Sequence, residues 1–406
     1  MQRRHFVATL CAAPAVLKGA KRSFSYAEVE RMLATGEVRG KLTKDEIATP
    51  ALLLDMDAFE ANVAKMAAHC KQHGRALRPH GKTHKCPDIA KVLIQAGAVG
   101  ACGAKLGEAE VFAANGVSGL LVTTAVIGRH KIERAIALAR KQPDTIFSVD
   151  NAQNVNDLDE AAGAARIKLN LAIDLFVSNR TGILPGEPAL ALAQHIDRKK
   201  HLRLQGIQAY AGGASHVTGF EARQRRSLAD MTPAVETRRL IEKNGVSCPW
   251  LSGGSTGTYN IDSEIDGITE LQPGSFVFMD IDYNRIGGKS GAVYQDFQNS
   301  LTVLTTVVSK PNDRQAVVDG GLKAFSTDKP FPPAAKDIEG IVYHWGGDEH
   351  GRLDVSNASR EVKLGDRIEF IVPHCDPSVN LYDRVYRVRG DRVEGVWRIA
   401  ARGVSQ

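Results

Sequence analysis

Short apolar segments recur along this chain at residues 76–79, 99–102, 119–123, 145–149, 167–173, 204–209, 250–252 and 269–271. They return about every 28 residues, a period long enough for a strand, a helix and two turns. Most of the gaps are rich in Ala, Leu, Glu, Lys and Arg, as at 107–114, 130–141 and 187–196, and read as helices. Eight such units predict an α/β chain folded as a (β/α)8 TIM-type barrel over residues 48–290. An open, doubly wound sheet alternates in the same way and stays open at this point. Beyond Tyr283 the texture changes to β-branched runs at 300–309 and 315–319 and alternating ones at 367–372 and 384–389. These predict a mostly antiparallel β domain over 291–406. Ahead of the barrel period, 51–55 reads as a strand and 57–70 as an amphipathic helix. Residues 23–47 hold a helical-looking piece, 26–35, expected to pack on the β domain.

Composition narrows the function classes. The chain carries a formal charge of +6, but Arg3, Arg4, Lys18, Lys21 and Arg22 precede the first acidic residue, Glu28. The remainder is nearly neutral, so no nucleic-acid or polyanionic partner is expected. Arg3-Arg4, Phe6 and a short Ala-rich apolar run to Leu17 have the layout of a twin-arginine export signal over residues 1–22, which predicts a periplasmic protein. That run is too short to span a bilayer, and no membrane segment is expected in the mature form. The six cysteines, Cys11, Cys70, Cys86, Cys102, Cys248 and Cys375, show no regular spacing, and a disulfide framework is not expected.

Three stretches carry chemistry. Arg78-Pro79-His80-Gly81-Lys82-Thr83-His84-Lys85 follows the first predicted barrel strand, and residues just after barrel strands sit on the catalytic face. A lysine placed there can form a Schiff base if desolvation lowers its pKa. Ser252-Gly253-Gly254-Ser255-Thr256-Gly257-Thr258 follows the seventh strand. Glycines let the backbone approach an anion, and phosphate sites of barrels favour the last two strands. Gly254, Ser255, Thr256, Gly257 and Thr258 are therefore the predicted phosphate cradle. In the β domain, Val372-Pro373-His374-Cys375-Asp376-Pro377 follows a strand-like run. If extended, it turns His374 and Asp376 to one face, where both can reach one cation, with Cys375 pointing away.

The motif at 78–85, preceded by Thr49-Pro50-Ala51-Leu52-Leu53-Leu54-Asp55, resembles the N-terminal signature of fold-type III pyridoxal-phosphate enzymes. It is most similar to the D-threonine aldolase and D-serine dehydratase branch, whose barrel is shared with alanine racemase. The resemblance runs from about residue 48 to the C-terminus. It implies that pyridoxal 5'-phosphate is borne on Lys82, that Arg180 faces the pyridine nitrogen, and that Tyr210 flanks the cofactor. It also implies a divalent metal at His374 and Asp376, with His374 in the catalytic set, and a homodimer. Dehydratases of this branch typically have cysteine where this chain has Asp376. An imidazole with an oxygen ligand suits Mn²⁺ or Mg²⁺ better than Zn²⁺. Asp319, Lys323, Asp328 and His350 lie in further family-like segments, with His350 read as a turn residue.

The implied reaction is cleavage of a small D-β-hydroxy amino acid to glycine and an aldehyde. Dehydration of D-serine or 3-hydroxy-D-aspartate is the alternative. A racemase needs a second base and no metal, a non-catalytic carrier of the cofactor needs no β domain, and a periplasmic binding protein needs no cofactor.

Overall fold

The computed structural model describes residues 24–38 and 40–406. The expected export signal, with Arg3, Arg4 and Cys11, lies outside the described residues. After strand β1 (Ala51–Asp55) come β2 (Ala76–Leu77), β3 (Ala101–Gly103), β4 (Leu120–Val122), β5 (Ile146–Val149), β6 (Leu169–Asp174), β7 (Leu202–Ala209), β8 (Trp250–Gly253) and β9 (Glu270–Leu271). The strands β2 to β9 form one parallel sheet, and each overlaps one of the eight apolar segments. A bridge between His80 and Cys102, with Gly81 N–H donating to the Cys102 carbonyl, joins β2 to β3 and closes the ring. The closed barrel replaces the open-sheet alternative.

Short strands such as β4 read as continuous apolar runs because parallel strands are covered on both faces; Leu120, Leu121 and Val122 have no exposure. The helix Arg129–Lys141 turns Ile132, Ala135, Ile136 and Ala139 inward at helical spacing and leaves its charges in water. Close strand contact demands glycine at one point. A Cβ on Gly100 would lie 1.9 Å from the Gly119 carbonyl oxygen.

A second sheet holds β10 (Leu301–Asn312), β11 (Gln315–Val318), β12 (Ala334–Ala335), β13 (Val342–Trp345), β14 (Gly351–Asp354), β15 (Arg367–Ile371), β16 (Arg384–Arg389) and β17 (Arg392–Arg398). Its pairings are antiparallel apart from β1 with β16. Strand β1 lies between β10 and β16 in this sheet, although its sequence position falls inside the stretch 48–290 expected for the barrel. The reason is two-sided burial: Leu52 and Leu54 join the main core, while Ala51 and Leu53 pack against Val29, Met32 and Leu33. Those three belong to the helix Tyr26–Thr35, which an ion pair from Glu30 to Arg384 at 2.7 Å also ties to β16.

The two sheets meet where the chain leaves the barrel. The N–H groups of Ile281 and Asp282 donate to the carbonyls of Val372 and Pro373, at 3.1 and 3.2 Å. This sets the segment that carries His374 against the catalytic rim. No helix among the described residues is long and apolar enough to cross a membrane.

Candidate active site

A small cavity of about 50 Å³ opens at the C-terminal rim of the barrel, under the β domain. It is lined by Lys82, Tyr210, Ser255, Thr256, His374 and Asp376 from the expected set, together with His80, His216 and Tyr283.

Lys82 comes from the loop after β2, and its Nζ lies 3.6 Å from Asp376 of the β domain. It also stands 5.8 Å from the centre of the Tyr210 ring. Burial works against its charge, but Asp376 and Tyr210 outweigh burial and hold the amine above the ordinary lysine range. Desolvation alone does not set the charge of this amine: the carboxylate that raises its pKa comes from a segment almost three hundred residues away in sequence, nearly three-quarters of the chain. Asp376 is the reciprocal case. Burial raises its pKa, and Lys82 and His374 together bring it below the usual carboxylate value. Two histidines of the motif are neutral. Burial and the Lys82 charge hold His80 well below its ordinary value, and burial lowers His84 to about 3.

His374 and Asp376 both line the cavity, but not through an extended segment. His374 has extended backbone and precedes a short helix, Cys375–Val379, so the i, i+2 argument is corrected: a helix start, not a strand, presents the pair. Cys375 is fully buried, with its N–H on the Asp280 carboxylate at 2.8 Å and its thiol pushed well up by burial. His374 Nδ1 pairs with Asp328 at 2.7 Å, which leaves Nε2 as its free donor atom. A ring nitrogen fixed by a carboxylate is the usual support of a metal-binding imidazole. Among the described residues no group of three or more His, Cys, Asp or Glu side chains converges as a metal site. His374 and Asp376 fit a cation whose remaining positions are filled by water or substrate oxygen.

The loop after β8 is internally braced. Ser255 N–H and Oγ lie 3.2 and 2.9 Å from Thr258 Oγ1, which in turn donates to Asp262. Phe276 N–H donates to Thr256 Oγ1 at 3.0 Å. The N–H groups of Thr256 and Gly257 find no acceptor among the described residues and suit an anion. A Cβ on Gly257 would lie 2.0 Å from the Ser215 carbonyl oxygen, so only glycine lets the loop pack this closely. Of this loop, Ser255 and Thr256 line the cavity, whereas Gly254, Gly257 and Thr258 do not.

Arg180 is exposed, 5.3 Å above the Tyr210 ring, and does not itself line the cavity. Its loop is anchored by Thr181, whose hydroxyl donates to Asp174 at 2.8 Å, and Gln208 donates to the same carboxylate at 2.9 Å. His350 sits exposed in the turn between β13 and β14, as read from the sequence.

Sequence reasoning passed over His216, Tyr283 and Asp282. His216 Nδ1 lies 3.0 Å from Asp282, which Lys329 of the β domain also contacts at 2.7 Å. Against burial, these two partners hold Asp282 far below the usual carboxylate value. The signal for His216 was available, since it follows β7 on the catalytic rim. Tyr283 carried none.

The geometry has counterparts in known proteins. Residues 54–282 match the family described as alanine racemase, N-terminal domain, and 300–388 match the putative serine dehydratase domain. The chain is 36% identical, over 89% of its length and 94% of the relative's, to a 3-hydroxy-D-aspartate aldolase of Paracoccus denitrificans (strain Pd 1222). It is 36% identical, with the same coverage, to a D-threonine aldolase of Arthrobacter sp.. The crystal structure of D-threonine aldolase from Filomicrobium marinum superposes with a TM-score of 0.86 at 35% identity, covering 90% of this chain and 98% of that one.

Proposed function

This chain belongs to the fold-type III pyridoxal-phosphate family that unites an alanine racemase-type barrel with a serine dehydratase-type β domain, and on that footing we propose that it cleaves a small D-β-hydroxy amino acid to glycine and an aldehyde, with its cofactor on Lys82. The observation that carries this reading is the meeting of Lys82 from the barrel with Asp376 and His374 from the β domain in one cavity.

Pyridoxal 5'-phosphate, when bound, supplies an electron sink for the pair released as the Cα–Cβ bond breaks. Lys82 would hold its aldehyde carbon, Thr256 and Gly257 its phosphate, and Tyr210 and Arg180 the ring. His374 and Asp376 would hold a divalent metal, Mn²⁺ or Mg²⁺ in preference to Zn²⁺, whose charge acidifies a nearby hydroxyl. The chain's own acid–base groups do the rest. With Nδ1 on Asp282, His216 keeps Nε2 free to take the proton of the β-hydroxyl, and loss of that proton drives the cleavage. The Lys82 amine, when free of the aldehyde carbon, is suited by its place in the cavity beside Asp376 to return a proton to Cα of the departing glycine.

Other parts of the reading have separate support. The Arg3-Arg4 leader supports export of the folded, cofactor-loaded chain, and the family resemblance supports a homodimer. Incubation with D-threonine, pyridoxal 5'-phosphate and Mn²⁺ is expected to release glycine and acetaldehyde. Recovery of 2-oxobutanoate and ammonia instead would assign the chain to the dehydratases, a class that includes a relative 30% identical, the D-threo-3-hydroxyaspartate dehydratase of Delftia sp. (strain HT23).

A further inference from the structure

Arg223, on the helix Phe220–Lys243, is the bulkiest side chain without solvent exposure among the described residues. A guanidinium is always charged, and a buried charge is costly unless an opposite charge answers it. Here every hydrogen-bond acceptor is a neutral carbonyl. Nε donates to Gly257 at 2.8 Å, Nη1 to Val217 and Ile286 at 2.9 and 3.0 Å, and Nη2 to Gly287 at 2.8 Å. The rings of Phe220 and Tyr294 lie 5.8 and 5.6 Å away. Carbonyl dipoles satisfy the geometry of the fork but leave its formal charge in place.

The first of those carbonyls belongs to the cradle itself, whose Thr256 and Gly257 N–H groups have no protein acceptor among the described residues. Two carboxylates lie nearby. Asp262 accepts from Ser227 and Thr258, and burial raises it to about 6, towards the neutral acid. Asp296 is engaged by Tyr259 at 3.1 Å. Asp296 favours the Arg223 charge through space, but neither carboxylate forms an ion pair with it.

We propose that Arg223 is a positioning residue whose buried charge, held without an ion-pair partner, backs the Gly254–Thr258 cradle and makes it select a dianionic phosphate ester over the corresponding alcohol. For the cofactor proposed above, on which this inference rests, Arg223 sets the preference for pyridoxal 5'-phosphate over pyridoxal. It acts through the cradle and touches no reacting atom.

The test is titration of the apoprotein with each aldehyde, following the absorbance change that Lys82→Ala abolishes. The quantity read is the ratio of the two dissociation constants. Arg223→Met is expected to cut that preference by about tenfold or more, because charge–phosphate attraction is lost only for the phosphorylated ligand. Arg223→Lys, which keeps the charge with fewer donors, is expected to stay within about threefold of the wild type. Phe220→Glu sets a carboxylate beside an intact Arg223 and is expected to lower the preference as well. This second variant decides the matter if Arg223→Met does not fold. A pure scaffold role predicts that both affinities fall together and the ratio holds in Arg223→Met and Phe220→Glu, and that result overturns the inference. A wild type that binds both aldehydes without preference overturns it too, while one that binds neither removes the cofactor reading itself and this inference with it.

Discussion

His374 and Asp262 show how a single carboxylate contact becomes a measurable property. His374 has its Nδ1 on Asp328 at 2.7 Å, which fixes both the ring and the tautomer that leaves Nε2 free. Asp328→Ala is expected to weaken metal binding by about 10–100-fold, read by titrating Mn²⁺ into the apoprotein. Affinity equal to wild type would mean that His374 is not a ligand. Asp262 makes a prediction about pH. Burial, opposed by Ser227 and Thr258, raises it from 3.8 to about 6. A carboxyl whose folded pKa lies above its unfolded value favours the fold while protonated. Its contribution is greatest below pH 4, declines as pH rises from about 4 to about 6, and is flat beyond. Asp262→Asn removes this titration. Relative to the variant, the wild type is expected to lose on the order of 3 kcal/mol between pH 4 and pH 7. Parallel denaturation curves for the two proteins at both pH values would contradict this.

At the scale of elements, close packing of loops and strands controls the site. The loop after β8 reaches its position only because Gly257 lies against the Ser215 carbonyl. Gly257→Ala must displace one of them, and cofactor affinity is expected to fall by about tenfold or more while the circular dichroism of the fold is retained. An unchanged titration curve would show that the cradle does not need this approach. The helix Tyr26–Thr35 covers one face of β1 through Val29, Met32 and Leu33. Leu33→Ala is expected to cost about 2–5 kcal/mol in urea unfolding. A loss below about 0.5 kcal/mol, typical of surface sites, would mean that the helix is not part of the cooperative fold. The elements themselves were legible, since most barrel-strand residues are buried on both faces and so appear as short apolar segments, although β7 carries an exposed Arg203. The placement of β1 was not. Its run looks like the others, but a sequence does not say which sheet a doubly covered strand will join.

Across the whole molecule, function depends on where two sheets meet. Hydrogen bonds from Ile281 and Asp282 to Val372 and Pro373 hold the barrel exit to the segment that carries His374 and Asp376. Lys82, the Gly254–Thr258 loop and the His374–Asp376 pair could each be read from the chain, because each is a local motif beside a strand. Tyr283 could not, and Asp328 and His216, though they stand in a family-like segment and after a barrel strand, gain their roles only when distant loops are brought to one cavity. The same holds for the charge state of Lys82, which is set by Asp376 across the junction. The account as a whole rests on the Lys82 amine as the attachment point. Loading the protein with pyridoxal 5'-phosphate, reducing it with borohydride and mapping its peptides should place the cofactor on Lys82. A reduced adduct on any other lysine, with the fragment holding Lys82 unmodified, would contradict the account.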